Sequence, residues 1–359
     1  MEQATASIPI INISPSNPNA PQELLSAAST YGFIFIENDA QTGIPPSEIA
    51  NIFTLSKRFF AAPLAEKQTV AIASNKAGKN LGWLSRGIEK LDPETQKRAD
   101  VKEAFNIGPP SSHTGTLDDQ PLPPTLQPHS QAITTFQTRC HALCQLLLSH
   151  LANALQIPDD WFTSRHDQTL GPSGTVFRML YYPALPENEN ETQNGGEDLR
   201  AGAHSDFGSL TLLFQLPGQP GLEIQTPSGA WASVPVDPSR GESEMEMEEE
   251  REEGSTGAPS KPLPILVNIG DLLEDVSLSR GNEKRDHFRK LTPTAPSMKV
   301  DIRPPEIDTP PRRLSIQPRP PNPTSRPLLP RLLLPPSRRS AAGARAERGR
   351  AGTRCEDES

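Results

Sequence analysis

The chain has 359 residues, 34% of them hydrophobic, a net charge of −9 and three cysteines. That length can bury the core of one large domain or two smaller ones. Three cysteines exclude a disulfide framework, no apolar run is long enough to span a bilayer, and residues 1–5 lack the basic and apolar regions of a secretory signal. A cytoplasmic protein with no membrane partner is expected.

Residues 8–13 read as a short strand and 21–31 as a helix with Leu24, Leu25 and Ala28 on one face. Residues 31–36, aromatic and branched, form a second strand. Ser47 is the expected N-cap of a long helix carrying Ile52, Leu55, Phe59 and Phe60. Gly82-Trp83 and residues 101–107 look extended, and the Pro-rich stretch 109–128 reads as a loop. Helical period then runs from Ile133 to Leu155 and places Cys140 and Cys144 at i,i+4 spacing, where buried reduced thiols are expected. Beyond it the period becomes two. Strands are expected at 176–183, around His204, and at 222–225, 231–236 and 263–269, an arrangement that suits a sandwich or barrel. Residues 239–261 are an acidic insert expected to be solvated and unstructured.

From about Pro293 proline and arginine dominate, and no aromatic residue follows Phe288. Residues 276–359 hold 18 Lys+Arg against 9 Asp+Glu, which leaves −18 on the first 275. Such a tail cannot bury enough apolar area to offset its ordering entropy, so disorder is expected.

The chemistry concentrates at His204-Ser205-Asp206. On an extended segment, residues two apart point to the same side. An imidazole and a carboxylate would then stand together, and one further histidine would complete a two-histidine, one-carboxylate facial triad.

Four blocks in order carry a resemblance: Arg178-Met179-Leu180-Tyr181-Tyr182-Pro183, the run from His204 to Leu213, Gly221-Leu222-Glu223-Ile224, and Val267-Asn268-Ile269-Gly270-Asp271-Leu272-Leu273. With the strand at 8–13, the strand at 31–36 and the Phe59-Phe60 helix, the chain resembles the isopenicillin-N-synthase-like superfamily of Fe(II)/2-oxoglutarate-dependent dioxygenases. The resemblance implies a mixed α+β fold: a double-stranded β-helix (jelly-roll) core flanked by helices. It implies Fe(II), 2-oxoglutarate as cosubstrate, dioxygen and a small organic substrate that is hydroxylated, desaturated or cyclised. Ascorbate is an alternative electron source in some relatives. No catalytic residue beyond the metal ligands is implied. His204 and Asp206 map onto two ligands, and Tyr182 onto a tyrosine that bonds the cosubstrate carboxylate. Arg178 is expected to pack or pair rather than act on substrate.

The pattern breaks after Asp275. His287 is the one histidine downstream of His204 and so the sole candidate for the third ligand of that type. Arg313 and Ser315 fit the Arg-x-Ser that clamps the 2-oxo acid, although Pro318 follows and proline is excluded from central strands. The jelly roll is therefore expected to be incomplete at its C-terminal strands. The expected organisation is an N-terminal dioxygenase region over 1–120, a long helix and connection over 121–170, the jelly-roll core with its acidic insert over 171–275, and the Pro/Arg-rich tail over 276–359. Two alternatives stand beside the enzyme: an inactive or truncated relative without a full iron site, and an interaction protein working through its basic tail. Nucleic acid is not an expected partner, and the oligomeric state is not readable. Loss of family pattern so abruptly predicts a retained intron or shifted frame near Val276. Transcript reads across codons 275–297 should then be interrupted, and abundant in-frame reads would refute it.

Overall fold

The computed structural model describes residues 4–41, 43–72, 80–89, 100–117, 120–171, 173–183, 201–239, 262–273 and the backbone of 298–300. Five α-helices lie among them: α1 (Ala20–Tyr31), α2 (Pro46–Phe60), α3 (Leu64–Thr69), α4 (Ser130–Ala154) and α5 (Asp160–Thr163). The strands are β1 (Ile10–Ile11), β2 (Phe33–Ile36), β3 (Gly82–Leu84), β4 (Glu103–Ile107), β5 (Phe177–Tyr181) and β6 (Ala201–His204). They continue with β7 (Leu210–Leu213), β8 (Leu222–Gln225), β9 (Trp231–Ser233), β10 (Ile265–Ile269) and β11 (Met298–Val300).

Local chemistry sets the helix ends. α1 opens with Pro21 in its first turn and stops at Gly32, whose φ of 69° is left-handed and whose N–H donates to Ala28 O. α2 departs from the Ser47 expectation. Pro45 holds the cap position, Pro46 begins the helix, and Ser47 lies inside the first turn. Proline suits that place because its fixed φ matches a helix and its missing N–H would have had no partner there. On α4, Cys140 and Cys144 are free thiols; burial pushes both up, Cys144 to about 12, so they stay protonated.

The strands form three sheets. One has the order β1-β2-β10-β7, with β1 parallel to β2 and the other pairs antiparallel. A second, antiparallel, runs β6-β11-β8-β9, and a third β3-β4-β5. β11 corrects the expectation of a tail free of strands: Met298–Val300 lies between β6 and β8, with Met298 opposite His204. The other features expected of 276–359, and the acidic insert at 240–261, lie outside the described residues.

Alternation divides the core in two. On β2, Ile34 and Ile36 join a cluster with α1, α2 and α4, as do Ile265, Val267 and Ile269 of β10. Phe33, Phe35 and Leu266 turn the other way, onto Leu222, Ile224, Ala232 and Val234 of the second sheet region. Two sheets facing each other across an apolar filling, with helices outside, make the jelly roll. Both faces of β2 and β10 are buried, which is why these strands read as continuous apolar runs. The third sheet obeys the same rule. Phe105 of β4 packs on Phe59, Tyr181 stacks on Phe60 and Phe177 meets Phe136, so odd positions face the helices. Lys102, Ala104, Asn106, Arg178, Leu180 and Tyr182 face the opposite way. Among the described residues no helix is long and apolar enough to cross a membrane.

Phe136 of α4 is 2% exposed and touches both Phe177 and Phe214, at 5.5 and 5.4 Å between ring centres. It therefore ties the third sheet to the first through one helix. Phe136→Ala should cost about 3–5 kcal/mol of stability in urea unfolding, the usual penalty for a buried phenylalanine lost without collapse.

Candidate metal centre

β6 ends at His204, and the chain then turns through Ser205, Asp206, Phe207 and Gly208 into β7. Asp206 thus lies beyond the strand, not on it as the extended reading expected. The two side chains still converge, with His204 Nε2 3.9 Å from Asp206 Oδ1. Tertiary contacts, rather than strand pleat, produce the convergence.

His204 Nδ1 lies 2.9 Å from Gly202 O. A carbonyl oxygen only accepts, so Nδ1 carries a proton, and in the neutral ring the lone pair is then on Nε2, toward Asp206. Asp206 is fixed through its other oxygen. Oδ2 accepts from Thr211 Oγ1 at 2.5 Å and from Asn268 Nδ2 at 2.9 Å. Thr211 and Asn268 are direct partners across β7 and β10, so neighbouring strands deliver two donors to one oxygen. Oδ1 remains turned to the imidazole.

Backbone bonds lock the turn. Gly270 N–H donates to Ser209 O, Asp271 N–H to Asp206 O and Leu272 N–H to Gly208 O. Ser205 Oγ donates to Asp271 Oδ2 at 2.9 Å. A Cβ at position 270 would lie 2.2 Å from Gly208 O and 2.8 Å from Asp206 O, so only glycine fits. Further out, His166 Nε2 lies 2.7 Å from Ser209 Oγ and its Nδ1 2.7 Å from Phe162 O, joining the turn to the segment after α5.

One nitrogen lone pair and one free carboxylate oxygen suit a first-row divalent cation. Ligand distances of about 2.0–2.2 Å let a single ion reach both atoms across this gap. An imidazole nitrogen and a carboxylate oxygen are donors that fit Fe(II). Among the described residues no group of three His, Cys, Asp or Glu side chains gathers around one point. His287, Arg313 and Ser315 lie outside the described residues, and β11 brings Met298 into register with His204.

Tyr182 is half-buried. Burial pushes its phenol well above the usual range, nearby Asp100 and Glu89 add to this and Arg178 opposes it, so the hydroxyl stays protonated. Arg178 pairs, as expected, with Glu89 at 3.0 Å and with Asn106 Oδ1 at 3.0 Å. Sequence reading missed Thr211 and Asn268 as holders of Asp206, and Asp100, whose Oδ1 accepts from Gly202 N–H at 3.4 Å. All three stand within or beside recognisable strands, but nothing local tells which long-range partner each takes.

Two families match. The N-terminal family of the non-haem dioxygenase in morphine synthesis matches residues 8–130, and the 2OG-Fe(II) oxygenase superfamily matches 173–245. A UPF0676 protein of Schizosaccharomyces pombe is 34% identical over 274 residues, covering 74% of this chain and 72% of that one. The proline hydroxylase BuaE of Petromyces alliaceus is 32% identical over 262 residues, 70% of this chain and 69% of its own. Among solved structures, a full-length Neurospora crassa protein in complex with alpha-KG and thymine shares the fold. Its TM-score is 0.60 at 23% identity, over 86% of this chain and 84% of that one.

Removing the Asn268 donor frees Asp206 Oδ2 to turn. Asn268→Ala should weaken divalent-metal binding about 10–100-fold, the usual effect of losing a group that orients a ligand. Gly270→Ala should do the same while also lowering the unfolding midpoint. Titration of Co(II) into each folded variant checks both, and unchanged affinity in Asn268→Ala would remove it from the site.

Proposed function

We infer the reaction from the family, for this chain belongs to the Fe(II)- and 2-oxoglutarate-dependent oxygenase superfamily. It is an oxidoreductase of small organic molecules that uses Fe(II) and takes 2-oxoglutarate as cosubstrate. Our finer reading is hydroxylation: one atom of dioxygen enters a C–H bond of the substrate and the other enters succinate, with loss of CO2. The proline hydroxylase among the relatives supports it.

The observation that carries this reading is the pairing of the His204 Nε2 lone pair with Asp206 Oδ1, each held by a bond to its other polar atom. We assign these two atoms as iron ligands and His287 as the third. When bound, the iron supplies dioxygen activation coupled to decarboxylation of 2-oxoglutarate. The protein orients what it binds. The Gly202 carbonyl holds the imidazole plane and tautomer, while Thr211 and Asn268 hold the carboxylate. We assign Arg313 and Ser315 to the distal carboxylate of 2-oxoglutarate, an arginine fork being suited to bidentate pairing. The protonated Tyr182 hydroxyl is available to donate to the same cosubstrate. The free thiols Cys140 and Cys144 support a reducing, cytoplasmic setting.

Anaerobic addition of Fe(II) and 2-oxoglutarate to the purified chain should give a saturable metal-to-ligand charge-transfer band. It should vanish in His204→Ala and in Asp206→Ala, and also in His287→Ala. A full band in His287→Ala would remove that residue from the site, and no band in folded wild-type protein would refute the assembled iron centre.

A further inference from the structure

The inner face of the third sheet carries charges that the iron chemistry leaves unexplained. Lys102 Nζ bonds Asp100 Oδ2 at 2.7 Å and Glu89 Oε2 at 3.1 Å. Arg178 reaches both Glu89 oxygens at 3.0 Å. The Glu89 carboxylate is thus gripped by two cations, one on β5 and one beside β4. Isolating such charges from water is costly, and apolar side chains would fill a sheet face with less penalty.

The two carboxylates differ in how they are held. Asp100 has no exposed side-chain surface and is pinned by Lys102 on one side and by the Gly202 N–H on the other. Glu89 is 27% exposed and stands on the turn after β3, where its side-chain bonds go to the two cations. Rotation of one side chain would release Glu89 and leave Lys102 and Arg178 with a single unmatched positive charge. The cradle adjoins the candidate metal centre. Gly202, which bonds Asp100, is two residues before His204, about 7 Å along an extended chain. Leu180, 43% exposed, lies on the same face and offers apolar contact.

We propose that Lys102 and Arg178 form a receptor for a carboxylate of the small-molecule substrate, and that Glu89 occupies it until substrate arrives. One anion replaces another, so the cluster stays neutral. The substrate class is a small monocarboxylic acid whose reacting C–H bond lies a few bonds from its carboxylate. This rests on the oxygenase reading for the word substrate, but the cradle itself is testable without iron.

Wild type, Glu89→Gln and Glu89→Gln/Arg178→Met are titrated with sodium acetate at constant ionic strength, the thermal unfolding midpoint being the readout and acetamide the neutral control. Glu89→Gln should half-saturate at an acetate concentration at least tenfold below wild type. The double variant should lose the response, and acetamide should give none. Equal responses in wild type and Glu89→Gln would overturn the proposal. The cosubstrate also carries a carboxylate, so a second arm separates the sources. Anaerobic 2-oxoglutarate titration of Fe(II)-loaded Arg178→Met should half-saturate within twofold of wild type. A tenfold loss would assign the cradle to the cosubstrate and overturn its assignment to substrate. A charge-transfer band absent from every variant would refute the iron reading alone, while the acetate titration still decides the cradle.

Discussion

The candidate centre depends on the contact of a backbone with a turn. Residues 270–272 lie against residues 206–209, and three successive N–H groups donate to the carbonyls of Ser209, Asp206 and Gly208. The contact exists because position 270 has no side chain; any Cβ there would overlap Gly208 O. Once the turn is held, Asp206 has one place to point, and its Oδ2 meets donors from two paired strands. A carboxylate with one oxygen bonded and the other free is preorganised for a cation.

The sheets give this contact its frame by separating faces. Odd positions of β4 and β5 go to the aromatic layer under α2 and α4, which leaves the even positions to look across toward β6. Charge gathers on that inner face. The Gly202 N–H donates to Asp100, while the Gly202 carbonyl accepts from His204 Nδ1–H. One residue therefore joins the ion cluster to the imidazole, so the cradle and the metal-facing nitrogen share a support. Burial pushes the Glu89 carboxyl up, yet Arg178 and Lys102 hold it below its ordinary value, and it stays charged in neutral water.

Much of the secondary structure was legible in the chain. The period of 3.6 at 133–155 became α4, and the apolar runs at 31–36 and 263–269 became β2 and β10. Ser47 was misread because two prolines before it offered a competing helix start. Asp206 stands beside His204, but tertiary contacts rather than strand pleat bring it there, since β6 ends before it. β11 was invisible: Met298–Val300 is three residues with no alternation to read, and its strand character comes from partners on both sides.

The sequence by itself determined the order and type of the main elements and the presence of an imidazole and a carboxylate two residues apart. These depend on backbone periodicity and residue chemistry, which act over a few positions. Only the tertiary structure decided which carboxylate oxygen is free, which imidazole nitrogen keeps its lone pair, and which charges surround Arg178. The Asn268 donor lies 62 residues from Asp206, and Gly202 lies 102 from Asp100. Such pairings are set by how sheets and helices pack around a shared core, and no local pattern records that choice.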